Sequence, residues 1–346
     1  MFVKDMSCIS PQRTIDKDFF EKEVISYTGN KYLSIEPEYT DLIPFGLLRR
    51  MGRAIRIGIG AGMPLLKKNP EVDGIIIGTA DAGLEDSIKF LNQILKYDEG
   101  NLTPTNFIQS TPNSIAGNLA IMSQNNKYNI THVHKGQAFE NSLLDAMLLL
   151  EEGDVGSVLV GNIEGISDYN YNIDNLAGLY KKEELSSETL LHSNTKGTVC
   201  GEGSAMFIVG SEPGSSKVRI NDIDQISYPS QSDVVEKIKY FLNRNNLSLS
   251  DIDALVLGLN GDSETDGFYH HVIKELFPKT GIFSFKNIVG EYPTSSAFAT
   301  WLSAQILNKN KAPKATIYKS TKAEINNILI YNHYQGIQHG LILMSK

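Results

Sequence analysis

The stretch THVHKGQAFENSLLDAMLLL, Thr131 to Leu150, changes its periodicity in the middle. Thr131 to His134 reads as the end of a strand and Gly136 as a turn. From about Gln137 a helix follows, in which Leu143, Leu144, Met147, Leu148 and Leu150 leave little polar face. A helix apolar nearly all round belongs in the centre of a domain. Its first turn is also chemically special. Unpaired backbone N–H groups and the positive end of the helix dipole suit a thiolate there. The position holds Ala138-Phe139-Glu140, a hydrocarbon ring where a nucleophile would be favoured.

Working outward, the same strand-and-helix alternation recurs. From Val72, VDGIIIGTADAGLEDSIKFLNQIL gives an unbroken apolar strand, a turn at Gly83, and a helix with Ile88, Leu91 and Ile94 at helical spacing. A fully apolar strand beside a helix implies a sheet buried on both faces. STPNSIAGNLAIMSQ predicts a helix begun by Ser110 or Thr111, with Pro112 just inside. The strand SVLVG follows the central helix, and Tyr169 to Thr198 reads as a long polar excursion. The turn Gly201-Glu202-Gly203 leads into the strand GSAMFIVG, and SEPGSS, Ser211 to Ser216, is the expected linker.

Beyond the linker the pattern restarts with VRINDIDQI, DVVEKIKYFLNRN, DALVLGL, FYHHVIKELF, GIFSF and SAFATWLSAQIL. ATIYKS and a hairpin joined through Gly336 close the chain. The expected organisation is α/β, with two similar halves at 1–210 and 217–346 that suggest an internal duplication. Alternation alone leaves a Rossmann fold and several rivals open. No GxGxxG or Walker pattern opens a helix after a strand, which counts against nucleotide binding.

The totals exclude several functions. A formal net charge of −8 over 346 residues argues against nucleic-acid recognition. The one arginine cluster places Arg49, Arg53 and Arg56 on one helical face, either solvated or docking an acidic partner. No apolar run approaches the roughly 20 residues that span a bilayer. MFVKDMSCISPQ lacks the apolar core of a signal peptide. With only Cys8 and Cys200, neither a disulfide framework nor a cysteine metal site is expected. A reduced, cytoplasmic compartment without metal or cofactor is the reading these features give.

The order of short signals resembles a known family. EPEY…LLRRMGR, VDGIIIGTADAGLEDSIKFL and FIQSTPNSIAGNLAI are similar to the N-terminal half of bacterial β-ketoacyl synthases. VCGEGSAMFIV, FSFKNIVGEYPTSSAFATW and YNHYQGIQHGLILM resemble the later Gly-Glu-Gly, lysine-containing and terminal glycine-rich segments. The resemblance covers almost the whole chain and implies the thiolase fold, two α/β halves stacked in alternating helix and sheet layers, with chains paired as dimers. In that family a cysteine takes the acyl chain as a thioester, and two histidines assist decarboxylation and stabilise the enolate.

Three departures follow, residue by residue. The family's cysteine falls on Phe139, its first histidine on Asn260, in Asn260-Gly261-Asp262, and its second on Glu291. The family lysine is retained as Lys286, and Gly201, Glu202 and Gly203 are retained as structural residues. No cysteine occurs between Cys8 and Cys200, so ordinary condensation is chemically ruled out. Ser142 sits one turn into the helix, where back-bonding to a carbonyl suits it. Cys200 reads as a small buried hydrophobe. His132 and His134 belong to a strand at a subunit interface or point toward a pocket, and His270 and His271 to an exposed helix face. Glu291 is either a carboxyl with a raised pKa or the partner of Lys286 in an ion pair, the pair being favoured.

The resemblance extends to chain-length factors, nucleophile-free partners of catalytic ketosynthases in type II polyketide, aryl-polyene and flexirubin-type systems. It implies a chain inactive alone that pairs with a catalytic ketosynthase and an acyl carrier protein. It also implies that the dimer and tunnel residues lie in Phe107, Gln109, Thr111, Asn113, Ala116 and Asn118 and in the strand residues Thr131, His132, Val133 and His134. Phe139 is expected to fill the vacated nucleophile pocket. Two alternatives stay open: an acyltransferase using Ser142, His134 or Glu291, and a homodimeric binder of acyl chains or carrier protein.

Overall fold

The computed structural model describes residues 1–16, 18–214, 216–320 and 324–346. Among them, eleven strands form one hydrogen-bonded sheet. In chain order they are β1 (Phe2–Ile9), β2 (Gly74–Thr79), β3 (Tyr128–Val133), β4 (Ser157–Asn162), β5 (Ser204–Gly210), β6 (Arg219–Ser227), β7 (Ala254–Leu257), β8 (Gly281–Ser284), β9 (Ile317–Lys319), β10 (Asn327–Tyr334) and β11 (Gln338–Ser345). The spatial order is β9-β8-β7-β10-β11-β6-β1-β5-β4-β2-β3.

That order contains the duplication. In the first half β2 runs parallel to β3 and β4, β4 antiparallel to β5, and β5 antiparallel to β1. In the second, β7 runs parallel to β8 and β10, β10 antiparallel to β11, and β11 antiparallel to β6. The halves join through Phe2 opposite Arg219. The chain crosses between them from Gly210 to Arg219, and Ser215 of the expected linker lies outside the described residues.

Alternating side chains divide the core into layers, because successive residues of a strand face opposite ways. Ile76 of β2 points to the middle layer with Val160, Val256, Ile330 and Ile342. Ile75 and Ile77 point outward to the helix α1 (Arg53–Lys68). Leu255, Leu257 and Leu329 face the far side, under α7 (Gln231–Arg244) and α8 (Gly267–Leu276). The remaining helices longer than one turn are α2 (Leu84–Lys96), α3 (Pro104–Gln109), α4 (Ser114–Ser123), α5 (Ala138–Glu152), α6 (Asp168–Leu176) and α9 (Ser296–Lys309). α5 and α9 follow equivalent strands and touch each other in the middle layer. α9 buries eleven of its fourteen side chains, and so reads as apolar or small on every face. Gly78 of β2 lets the sheet approach α5, since a Cβ there would stand 2.6 Å from the Ala138 carbonyl oxygen.

Several expectations change. The helix placed at Ser110 or Thr111 begins later: α4 starts at Ser114 with Asn113 as its cap, and α3 is a separate short helix before it. The apolar stripe of α2 is not core, because Leu91 and Leu95 stay exposed in the single chain. α5 is buried along one face to its last turn, where Leu150 joins the core, but not all round, and Leu148 reaches solvent. The arginine cluster is broken by Gly52, which leaves Arg49 before α1. Arg53 turns inward to Glu202 and Glu36, and Arg56 to Glu36, so the face is internal pairing rather than a solvated patch.

Candidate functional site

The C-terminal ends of the parallel strands in both halves open on one cavity of about 200 Å³. Open α/β sheets place their ligands at such ends. Asp81 follows β2, Glu164 follows β4, Asn260 and Asp262 follow β7, and Tyr334 ends β10. Residues 197–201 and α6 complete the wall. The polar excursion of the sequence is therefore a structured part of the site.

Asn260, Glu291 and Lys286 come together here. Lys286 opens a single helical turn after β8 (Lys286–Val289), and Glu291, just beyond it, is held in place by its backbone. Its N–H donates to the Val199 carbonyl at 2.6 Å, and its carbonyl accepts from Gly201 N–H at 2.9 Å. Gly290 makes the approach feasible, with φ +77° and no Cβ to strike Gly201. Lys286 Nζ donates to Glu291 Oε2 at 2.6 Å and to the His333 carbonyl at 2.9 Å. Asn260 Nδ2 donates to the same Oε2 at 3.1 Å. Burial pushes the Glu291 carboxyl up, against the pull of Lys286. Lys286 is fully buried, so the pair cannot be separated without stranding a charge.

A second polar layer supports this cluster. Asp266 accepts the N–H groups of Gly261 at 2.7 Å and of Asn260, and burial lifts its carboxyl to about 7. His333 Nε2 faces the Thr265 carbonyl at 3.1 Å, and burial together with Lys286 drives its pKa well below the usual histidine value. It is a neutral structural imidazole, stacked on Tyr269 at 4.3 Å. On the opposite wall Glu164 accepts from the N–H of Ala80 at 2.6 Å and from the Thr294 hydroxyl at 3.1 Å, and burial pushes it up to about 8.

No nucleophile is prepared in this arrangement. The Cys200 thiol reaches the cavity, but burial pushes its pKa up to about 12, and it lies on extended backbone rather than at a helix start. Ser142 is back-bonded to the Ala138 carbonyl at 2.9 Å inside α5. Phe139 occupies the second position of α5, fully buried, with its ring 6.0 Å from that of Phe207. It belongs to the middle core layer and is not part of the cavity wall. The ring is therefore taken up by packing rather than set as a plug in the cavity.

The remaining candidates lie elsewhere. His132 pairs with Asp145 of α5 at 2.9 Å, and His134 with Asn141 at 2.9 Å. Asn113 reaches Asn129 and Thr131 of β3, each at 3.2 Å. Phe107 (60 % exposed), Thr111 and Val133 face solvent in the single chain. Asn118 is back-bonded to the Ser114 carbonyl at 2.6 Å. Two of the expected tunnel residues are not on this face. Gln109 is buried and bridges Arg50 O and Gly52 N, fixing the turn into α1, and Ala116 is fully buried in the first-half core. Neither His270 nor His271 lines the cavity. Glu202 is structural as expected: buried, it accepts from Ser34 N–H at 2.7 Å and Ile166 N–H at 2.7 Å and pairs with Arg53. Reading by sequence missed Glu164, Asp174 and Tyr180. The one available signal was Glu164, a carboxylate two residues after a fully buried strand.

Comparisons place this geometry. Residues 29–183 match the family model described as the N-terminal domain of β-ketoacyl synthase. Among curated protein sequences none matches. The ketosynthase ApeO in complex with its chain length factor ApeC, from Xenorhabdus doucetiae, superposes with a TM-score of 0.76 at 14% identity, covering 99% of this chain and 97% of that one. The ishigamide ketosynthase/chain length factor gives 0.76 at 12% identity, covering 100% and 98%. A β-ketoacyl synthase from Burkholderia phymatum STM815 gives 0.78 at 13%, covering 100% and 98%. The duplicated sheet and paired central helices are those of the thiolase fold. Within that fold, residues 29–183 are similar to the N-terminal domain of β-ketoacyl synthase. No helix among the described residues is long and apolar enough to cross a membrane.

Proposed function

We propose that this chain is a non-catalytic ketosynthase-like subunit, a chain-length factor, that pairs with a catalytic ketosynthase and an acyl carrier protein. It shapes the partner's acyl tunnel in a polyketide, polyene or fatty-acid-like biosynthesis. The observation that carries this reading is the cavity wall. Where the family resemblance expects two imidazoles, Asn260 donates to Glu291, and Glu291 is held by buried Lys286. An enolate formed there would face the Glu291 carboxyl, with the Asn260 amide already donating to it, in place of two imidazole N–H donors, which weighs against both condensation and decarboxylation. The raised Cys200 thiol supplies no replacement nucleophile.

The outer surface supports pairing. β3 ends the sheet and, among the described residues, pairs only with β2, which leaves its other edge open. Around it Val133, Ile121 (79 % exposed) and Leu148 stay exposed, and Phe107 and Ile108 do so on α3. A second copy or a related chain would cover this edge. The solved complexes described as ketosynthase with chain length factor favour the related chain. Phe107 and Thr111 are then the gate candidates, because compressing a packed wall by added methylenes costs about 1–3 kcal/mol.

Co-expression with a catalytic ketosynthase tests the reading. The expected result is a stable 1:1 complex whose product lengthens when Phe107→Ala is introduced. A lone homodimer that ignores the ketosynthase, with product length unchanged by the substitution, would overturn it.

A further inference from the structure

Two lysines are buried among the described residues, and only one of them bonds a carboxylate. Lys286 is held by Glu291, whereas Lys181, 2% exposed, is met by neutral oxygens. Its Nζ donates to the Gly261 carbonyl at 2.8 Å, to the Ser193 hydroxyl and the Thr195 carbonyl at 3.0 Å, and to the Thr195 hydroxyl at 3.1 Å. Glu183, Asp262 and Asp266 act on the ammonium through space, and none is its hydrogen-bond partner. Burial outweighs them and pulls the ammonium below the usual lysine value.

This oxygen cage joins two parts of the cavity wall. Ser193 and Thr195 belong to the long connection between β4 and β5, and Gly261 to the turn after β7. Neighbouring bonds continue the seam. Ser263 N–H donates to the Thr195 carbonyl at 3.1 Å, and Gly197 N–H to the Asp262 carboxylate at 2.8 Å. The Lys181 N–H donates to the Thr198 carbonyl at 2.9 Å, which anchors the root of the side chain on the same connection. Gly197, Thr198, Asn260 and Asp262 line the cavity directly beyond. Carbonyl oxygens only accept, so without a cation these converging groups would be buried with no partner. Carbonyl oxygens gathered around one point are also the surroundings that replace the water shell of a potassium ion.

We propose that the cage is a monovalent-cation site that the chain fills with its own Lys181, and that the charge, rather than the packing of the side chain, holds the Asn260-Gly261-Asp262 turn against residues 193–198. With the amine cut away, the oxygens take an ammonium or potassium ion in its place. Lys181 is thus a positioning residue for the cavity wall. The site stands or falls separately from the chain-length-factor reading, since the seam closes whether or not the chain pairs with a ketosynthase.

Labelling of the full chain by N-ethylmaleimide, followed by mass spectrometry, reads the seam. Cys200 stands on the same wall and is 6% exposed, while Cys8 lies in the middle core layer, off the cavity. In Lys181→Ala, kept in tetramethylammonium chloride, Cys200 is expected to label about tenfold faster than in the wild type, because the loosened wall admits the reagent. Ammonium or potassium chloride at equal ionic strength restores the slow rate along a saturating curve, and tetramethylammonium, too large for the cage, does not. Lys181→Met, which keeps the stem without the charge, labels fast and is not rescued. Folding of Lys181→Ala only in ammonium or potassium would support the site equally. A Lys181→Ala chain that neither cation restores in labelling or in folding, one that labels as slowly as the wild type without them, or slow labelling of Lys181→Met would overturn the proposal.

Discussion

Removing the Glu291 carboxylate while keeping Lys286 is the perturbation whose outcome the structure determines most closely. Lys286 is fully buried, and its ammonium has two acceptors, Glu291 Oε2 at 2.6 Å and the His333 carbonyl at 2.9 Å. Glu291→Ala leaves that charge with one neutral acceptor and no counter-ion. Breaking a buried pair in this way costs about 3–5 kcal/mol, whereas replacing both partners by apolar residues of similar volume is near neutral. The double variant Lys286→Met/Glu291→Leu is therefore expected to be more stable than Glu291→Ala, although it changes more atoms. It still leaves the Asn260 amide without its acceptor, a loss of about 1 kcal/mol. Urea unfolding of the wild type, Lys286→Met, Glu291→Leu and the double variant closes a cycle whose coupling should reach about 2–3 kcal/mol. A Glu291→Ala cost below about 1 kcal/mol, or additive single effects, would refute the buried ion pair.

Other perturbations follow from particular groups. Burial lifts Glu140 on α5 to about 7, from the ordinary carboxyl value of 4.5. A raised carboxyl contributes its stability fully below about 4.5 and loses it as pH rises through about 7. Glu140→Gln should therefore gain up to about 3 kcal/mol relative to the wild type at pH 8 and nothing at pH 4, read from melting curves at both pH values. Glu202→Ala removes the acceptor for Arg53 and for two backbone N–H groups, and chemical denaturation should record a loss of about 3–5 kcal/mol. Val133→Asp lies on the open edge of β3 and should change the stability of the isolated chain by less than about 0.5 kcal/mol while abolishing association in sedimentation experiments.

The layered fold was legible because two periods dominate the chain. Wholly apolar strands such as β2 alternate with helices, and the near-complete apolarity of α5 marked the centre of the molecule. Other features needed the third dimension. The stripe of α2 has helical spacing, but spacing does not reveal whether the chain itself or another molecule covers it, and Leu91 and Leu95 are left bare. Arg53 looked solvated because its partners, Glu36 and Glu202, lie far away in sequence. Of the site, Lys286 and Glu291 were singled out through the resemblance, and the ion pair favoured for them is the arrangement they adopt. Asn260 joined them only through the resemblance. Glu164, Asp174 and Tyr180 all lie in the connection between β4 and β5, but no local pattern shows that they share one wall. Phe139 was legible as a lost nucleophile, while its place in the middle layer against Phe207 followed only from the packing.

The most direct measurement is intact mass spectrometry of the chain, alone and in complex with a catalytic ketosynthase, after incubation with acyl carrier protein charged with an acyl group. The account predicts that added mass is found on the ketosynthase and that the mass of this chain stays unchanged in both samples. An acyl adduct on this chain, on Cys200, Ser142 or any other residue, would contradict it.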